Sequence, residues 1–157
     1  MQFHVIQAGV RHLDLIAPLF DAYRVFYKQS SDIARAREFL RARIEHGESV
    51  IFVAVDQEGL GAKAHGFTQL YPTFSSVSTQ PTWILNDLYV DKEARRKGVG
   101  EALMNRAREL ALATGAKGLG LSTAVDNLTA QALYESLGYK RDTAFYHYFL
   151  AAPPAAG

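Results

Sequence analysis

Apolar residues recur along this chain at two spacings, and the switches between them mark out the elements. Residues 2–7, FHVIQA, read as a short strand. Leu13, Ile16, Phe20, Tyr23 and Tyr27 then fall at helical intervals. Ser30, Ser31 and Asp32 break that pattern and offer caps for a second helix. It carries Ile33, Ala36, Leu40 and Ile44 on one face, sets Arg35, Arg37, Arg41 and Arg43 elsewhere, and is ended by Gly47. SVIFVAV (49–55) is a continuous apolar run, as expected of a strand covered on both faces. AHGFTQLYP (64–72) reads as a second central strand stopped by Pro72, and TFSSVSTQPT as a polar loop. WILNDLYV (83–90) is the next strand, followed by a helix that runs to about Thr114. LGLSTAV (119–125) predicts another strand. Asn127 to Leu137 predicts a short helix with Ala130, Leu133, Tyr134 and Leu137 on its apolar side and Gly138 as its C-cap. GYKRDTAFYHYFL predicts one or two closing strands, and residues 151–157, AAPPAAG, a disordered tail.

The predicted fold is therefore a mixed α/β single domain over residues 1–150. Antiparallel hairpins come first. A strand–helix–strand crossover over residues 83–125 then requires a parallel pair.

Composition narrows the chemistry. The chain has 157 residues, the size of one ordinary domain. Seventeen basic residues against 16 acidic ones leave a net charge of +1, without the basic excess usual in nucleic-acid binders. There is no cysteine, so disulfides, thiolate metal sites and a cysteine nucleophile are excluded. The histidines at 4, 12, 46, 65 and 147 show no metal-ligand spacing, and no metal is expected. The N-terminus lacks a signal-peptide pattern and no apolar stretch has transmembrane length, which makes the cytoplasm the expected compartment and a membrane partner unexpected.

The most informative stretch is VDKEARRKGVGEALMNRA (90–107). It sets Arg95, Arg96, Lys97, Gly98 and Gly100 where a helix must begin, a place that normally favours a polar cap and early acidic residues. Unpaired N–H groups and a partial positive charge collect at a helix start, and glycine lets a ligand approach the backbone. Cations added there make an anion cradle, suited to a pyrophosphate. A solvated basic turn is the plainer alternative. The P-loop pattern GxxxxGK[ST] is absent, and Leu103 occupies the position of the third glycine in a dinucleotide fingerprint.

Arg95-Arg96-Lys97-Gly98-Val99-Gly100 after a strand resembles the acetyl-CoA motif [Q/R]-x-x-G-x-[G/A] of the GCN5-related N-acetyltransferases. LNDLYVDKEARRKGVG is similar to that family's fourth strand and the turn after it. NLTAQALYESLGY (127–139) is similar to its second conserved block. The order of elements agrees from the first strand to Leu150.

The resemblance implies an acetyl-CoA-dependent N-acetyltransferase in which acetyl-CoA lies in a splay between parallel strands, here 83–90 and 119–124. It implies that the backbone of Leu88, Tyr89 and Val90 pairs with the pantetheine arm. It places the pyrophosphate on the amides of Arg96, Lys97, Gly98, Val99, Gly100 and Glu101, with Arg95 beside them, and puts Asn127 and Ala130 near the pantetheine. Tyr134 aligns with the tyrosine that protonates the leaving thiolate; core packing is the alternative for a tyrosine at helical spacing. Polyamine-type members carry Glu-Asp where this chain has Asn86-Asp87. Asn86 cannot take a proton, so Asp87 is a candidate base through a water, an anchor for a substrate ammonium, or a residue that only orients Asn86 or holds a bulge in the strand. Tyr23, Tyr27, Tyr71 and Phe74, with Phe26, are candidate walls for the acceptor, since aromatic faces hold cations; ordinary core packing is the alternative for each. The expected acceptor is a small-molecule amine, a polyamine or an amino-acid-like one. A protein lysine or N-terminus, or a non-catalytic acyl-CoA sensor, is the alternative. AFYHYFL (144–150) is an apolar strand suited to pairing in a homodimer.

Overall fold

The structure is a computed structural model that describes residues 1–153. Two compact units make up the chain, Met1–Ser122 and a smaller one from Thr123 onward.

The first unit is built on a five-stranded sheet in the order β1-β2-β3-β4-β5. Its strands are β1 (His4–Ala8), β2 (Val50–Val55), β3 (Ala64–Ser75), β4 (Gln80–Val90) and β5 (Leu119–Gly120). Successive pairs from β1 to β4 are antiparallel, and β4 with β5 is parallel, as the crossover demands. Helices α1 (Leu13–Phe26) and α2 (Ile33–Glu45) lie between β1 and β2 in the chain, and α3 (Val99–Ala113) between β4 and β5. Asp32 caps α2, its side chain accepting from the Arg35 N–H at 3.0 Å.

Period-two alternation splits the strand residues between two faces. Ile51, Val53, Val55 and Phe67 join Leu13, Ile16, Leu19 and Phe20 of α1 and Ala36 and Leu40 of α2 in one buried cluster. Phe52 and Ala54, also buried, point to the opposite face, where the Arg106 guanidinium of α3 lies 4.5 Å from the Phe52 ring centroid. Val99, Leu103, Met104, Ala107 and Ala111 are the buried stripe of α3. The continuous apolar run of β2 is thus explained by cover on both sides.

Three boundaries differ from the sequence-based expectation. Pro72 does not stop β3, which continues to Ser75 and pairs with β4 down to Ser75–Gln80; the stretch expected as a polar loop is mostly hairpin. β2 pairs only as far as Leu70, so at Pro72 the strand has a neighbour on one side alone. A residue without an N–H is tolerated at such an open side. β5 keeps two residues of the expected seven, because its pairing ends at Ile84, just before β4 bulges. The expected closing strands do not form: residues 140–153 carry no strand, and no ladder partner meets them within their own unit.

In the second unit α4 (Leu128–Ser136) ends as expected. Gly138 takes φ 94°, its N–H donates to the Glu135 carbonyl at 3.1 Å, and the Tyr139 N–H donates to the Tyr134 carbonyl at 3.0 Å, the paired bonds of a Schellman turn.

Gly66 decides how closely α3 seats on the sheet. A Cβ there would stand 2.8 Å from the Tyr89 carbonyl oxygen, 3.1 Å from Val99 Cγ1 and 3.3 Å from Val90 Cα. Two of those atoms are backbone and cannot rotate away. Gly66→Ala is therefore expected to cost about 1–3 kcal/mol, the range of core overpacking. Urea unfolding would read this as a lower midpoint at unchanged slope; an unchanged midpoint would mean that the close approach carries no strain.

Candidate active site

The anion cradle is built where β4 gives way to α3. A short 3-10 turn, Lys92–Ala94, buries Ala94 and hands the chain to Arg95 in an extended conformation. Arg96 then takes φ 62° and Gly98 φ 83°, both left-handed. Gly98 has no neighbour within reach of a Cβ, so its backbone angle, not crowding, calls for glycine. Arg96 pays for the same geometry, at about 1–2 kcal/mol. Helix α3 starts with no side-chain cap. Its first bond runs from the Ala102 N–H to the Gly98 carbonyl at 3.0 Å, which leaves the N–H groups of Val99, Gly100 and Glu101 without intrahelical acceptors.

The three cations are not equivalent. Arg95 Nε donates to the Val90 carbonyl at 3.1 Å, and Lys97 Nζ donates to the Glu93 carbonyl at 3.1 Å. Arg96 makes no side-chain hydrogen bond or ion pair among the described residues. Its guanidinium and the free amides gather positive charge at the start of α3, which suits an anion. Beside it, β5 pairs with β4 only at Trp83–Leu119 and Ile84–Gly120. Among the described residues no strand pairs with β4 on that side from Leu85 to Val90, a stretch that includes Leu88, Tyr89 and Val90. An extended amide-bearing chain such as pantetheine suits such an edge.

The second half of the site is a buried carboxylate. Gln69 pairs with Asp87 and Leu70 with Leu85, so Asn86 is the extra residue of a β-bulge. Asp87 is 4% exposed. Tyr23 Oη donates to its Oδ1 at 2.9 Å, Asn86 Nδ2 donates to Oδ1 at 2.9 Å, and Gln69 Nε2 donates to Oδ2 at 2.5 Å. Thr68 Oγ1 donates to the Asp87 backbone carbonyl at 2.8 Å. No cation pairs with Asp87, and Gln69 Oε1, fully buried, has no partner among the described residues.

Aromatic rings border the carboxylate. Tyr23 lies 5.1 Å from Tyr27 and 6.1 Å from Tyr89, centroid to centroid, and Phe26 lies 5.3 Å from Tyr27. Burial, then the charge of Asp87 and its hydrogen bond, push the Tyr23 hydroxyl well above the ordinary phenol range. Burial and the same charge push Tyr71 up to about 12. Both remain neutral donors at physiological pH. Tyr23, Tyr27, Tyr71, Asn86 and Asp87 are thus brought together. Phe74 is not: it is exposed and sits five residues along β3 from Gln69, roughly 17 Å away along the strand.

Asn127 and Tyr134 belong to the second unit. Asn127 Oδ1 accepts from the Ala130 N–H at 3.2 Å and caps α4, so its side-chain oxygen has a structural task. The Tyr134 ring stands 6.1 Å from that of Tyr139. Among the described residues no group of three or more His, Asp or Glu side chains is placed to hold a metal ion, and no helix is long and apolar enough to cross a membrane.

Gln69, Thr68 and Gly66 were missed from the sequence. HGFTQL gives no signal for them, because their roles come from the register of β3 against a bulge. Most arginines of α2 are consumed internally: Arg37 with Asp14 at 2.9 Å, Arg41 with Glu38 and Glu45, Arg43 with Glu48 at 3.2 Å.

Comparison with known proteins places the chain in a family. The family model described as acetyltransferase (GNAT) family matches residues 16–139. An uncharacterized N-acetyltransferase of Bacillus subtilis (strain 168), YhfO, is 48% identical over 150 residues, covering 96% of this chain and 98% of its own. A crystal structure of a probable acetyltransferase superposes with a TM-score of 0.89 at 45% identity, covering 96% of this chain and 98% of that one. The thialysine N-epsilon-acetyltransferase of Caenorhabditis elegans is 25% identical over 142 residues, 87% of this chain and 82% of its own. With its free helix start, open strand edge and four-strand meander closed by a parallel pair, the chain belongs to the GNAT family of acetyltransferases.

Proposed function

We propose that this acetyltransferase moves the acetyl group of acetyl-CoA to the primary amine of a small cationic molecule, a polyamine or an amino-acid-like amine, by direct attack in a ternary complex. Asp87 is the observation that carries the acceptor class. A buried carboxylate is costly unless paired, and this one is held by three neutral donors and no cation. A substrate ammonium would supply the missing charge, with Tyr23, Tyr27 and Tyr71 as its aromatic wall. The relative whose name places acetylation on the epsilon nitrogen of thialysine favours the same acceptor class.

Bound acetyl-CoA supplies a thioester acyl group open to attack by an amine. The amides of Lys97 to Glu101 and the Arg96 guanidinium would hold its diphosphate, and the β4 edge at Leu88 to Val90 its pantetheine arm, with Asn127 and Ala130 assigned by motif. The amine must be neutral to attack. Asp87 draws the ammonium in and takes its proton through a water, while Asn86 and Tyr23 fix the carboxylate's direction. A β4 backbone N–H at Leu88 is the donor toward the reacting carbonyl oxygen. Tyr134, assigned by its motif LYESLGY alone, is the residue that returns a proton to the departing thiolate.

The absence of cysteine fits a reducing compartment such as the cytoplasm. A second copy of this chain is the partner assigned to residues 144–150. Phe145, Tyr146, Tyr148, Phe149 and Leu150 are all exposed there, in a run whose composition suits a strand covered on both faces. Sedimentation velocity at micromolar concentration is expected to give a dimer mass, and a monomer mass would set that partner aside.

Thiol release from acetyl-CoA, run against polyamines, amino acids and a lysine peptide, tests the reaction. Tyr134→Phe is expected to lower kcat by about 10²-fold or more, the usual worth of a general acid, at unchanged CoA affinity. Asp87→Asn is expected to raise the amine KM by roughly 30-fold or more, the loss that follows when one partner of a buried charge pair is neutralised. Release confined to the lysine peptide would move the acceptor to proteins. CoA binding without release on any amine would make the chain a sensor.

A further inference from the structure

Arg95 spends its side chain on the protein. Its Nε bond to the Val90 carbonyl fixes one side of the guanidinium. The Cζ atom lies 5.8 Å from the ring centroids of both Phe26 and Tyr89, and those rings are 6.3 Å apart. Phe26 is the last residue of α1 and is 59% exposed, so the core does not hold it.

The two backbone segments joined by this contact are both strained. Arg96, next in sequence, is left-handed without being glycine. So is Lys28, at φ 66°, where α1 ends: the Lys28 N–H donates to the Val25 carbonyl at 2.9 Å and the Gln29 N–H to the Arg24 carbonyl at 2.9 Å, a Schellman turn built on lysine. Strained backbone persists only where its surroundings hold it. A helix end of this kind, with few buried neighbours, opens locally at low cost. Beyond the same rings, Tyr23 packs its edge against Tyr89 and donates to Asp87. One continuous set of contacts therefore runs from the anion loop through Arg95, Phe26 and Tyr89 to Tyr23 and the buried carboxylate.

We propose that Arg95 is a positioning residue that couples the loop holding the coenzyme diphosphate to the last turn of α1, so that coenzyme binding firms the acceptor wall. The inference rests on the coenzyme reading given above. An anion seated on the amides after Arg95 fixes the loop, the fixed loop holds the guanidinium over Phe26, and Phe26 holds the turn at Lys28. Coupling of this kind is reciprocal: loosening Phe26 weakens coenzyme binding by the factor with which coenzyme steadies Phe26. A cation over a ring at an exposed site is worth about two- to fivefold in affinity. Lysine keeps the charge but not the planar face.

Hydrogen–deuterium exchange with CoA as the probe, followed by calorimetric CoA titration, tests this on the full chain. In the unaltered protein CoA is expected to slow exchange at residues 95–103 and also at residues 24–31. In Phe26→Leu and Arg95→Lys the protection at 95–103 should remain, protection at 24–31 should vanish, and CoA affinity should fall about two- to fivefold. Val25→Ala, an exposed apolar residue of the same turn that carries no aromatic ring, should behave as the unaltered protein. Protection at 95–103 alone in the unaltered protein, or protection at 24–31 that survives both variants, would overturn the coupling and leave the coenzyme reading standing. No protection at 95–103 would overturn both.

Discussion

One extra residue in β4 sets up the site. Between Leu85 and Asp87, Asn86 has no partner on β3. In an unbroken strand residues 85 and 87 would share a face. With the bulge, Leu85 pairs with Leu70 on the α3 side of the sheet, while Asp87 pairs with Gln69 and turns toward Tyr23 of α1. A regular strand would have to bury Asp87 under α3 or give up Leu85 from the core. The same irregularity raises the local twist, and the parallel pairing with β5 stops just before it. A single insertion thus aims the carboxylate and opens the strand edge.

The carboxylate's surroundings then follow from competing costs. Removing an ion from water costs several kcal/mol even after relaxation. A hydrogen bond to a charged group returns about 1.5–3 kcal/mol, so three donors can roughly offset that cost. They leave the charge itself unneutralised. A lysine or arginine at the position of Gln69 would satisfy Asp87 more fully and would also remove its attraction for an outside cation. Neutral donors keep the group buried, directed and still anionic. Tyr23 suits the task because the same burial and charge that raise its pKa keep it protonated.

The sequence revealed the parts of this arrangement that depend on local chemistry. The β2 run, the caps at Asp32 and Gly138, the crossover that makes β4 and β5 parallel, and the glycine-led start of α3 at Gly98 each come from residues close together in the chain. What it hid depends on register. Pro72 looked like a terminator because nothing in AHGFTQLYP says that β2 leaves β3 at Leu70. Gln69 carries no signal in the sequence, and its burial beside Asp87 is visible only once β3 and β4 are aligned across the bulge. Phe74 looked like a wall residue because it is near Tyr71 in sequence, yet the long hairpin carries it away. The closing strands failed for a related reason. Apolar composition announces that a strand is possible, whereas a ladder requires a pairing partner, and residues 140–153 have none within their own unit.

The anion loop follows the opposite logic from the carboxylate. Asp87 is over-determined by contacts, while the loop is held open by its glycine and by unspent amides. Arg96 adopts a left-handed conformation that a glycine would take at no cost, and its guanidinium has no hydrogen bond or ion pair among the described residues to offset the strain. Stability alone would favour glycine there. A charged residue at that angle makes physical sense if its side chain is needed in front of the helix start, where an anion would collect the charge, the dipole and the free N–H groups together. On this view the strain at Arg96 is the folded chain's contribution to a contact that is completed only when the diphosphate arrives.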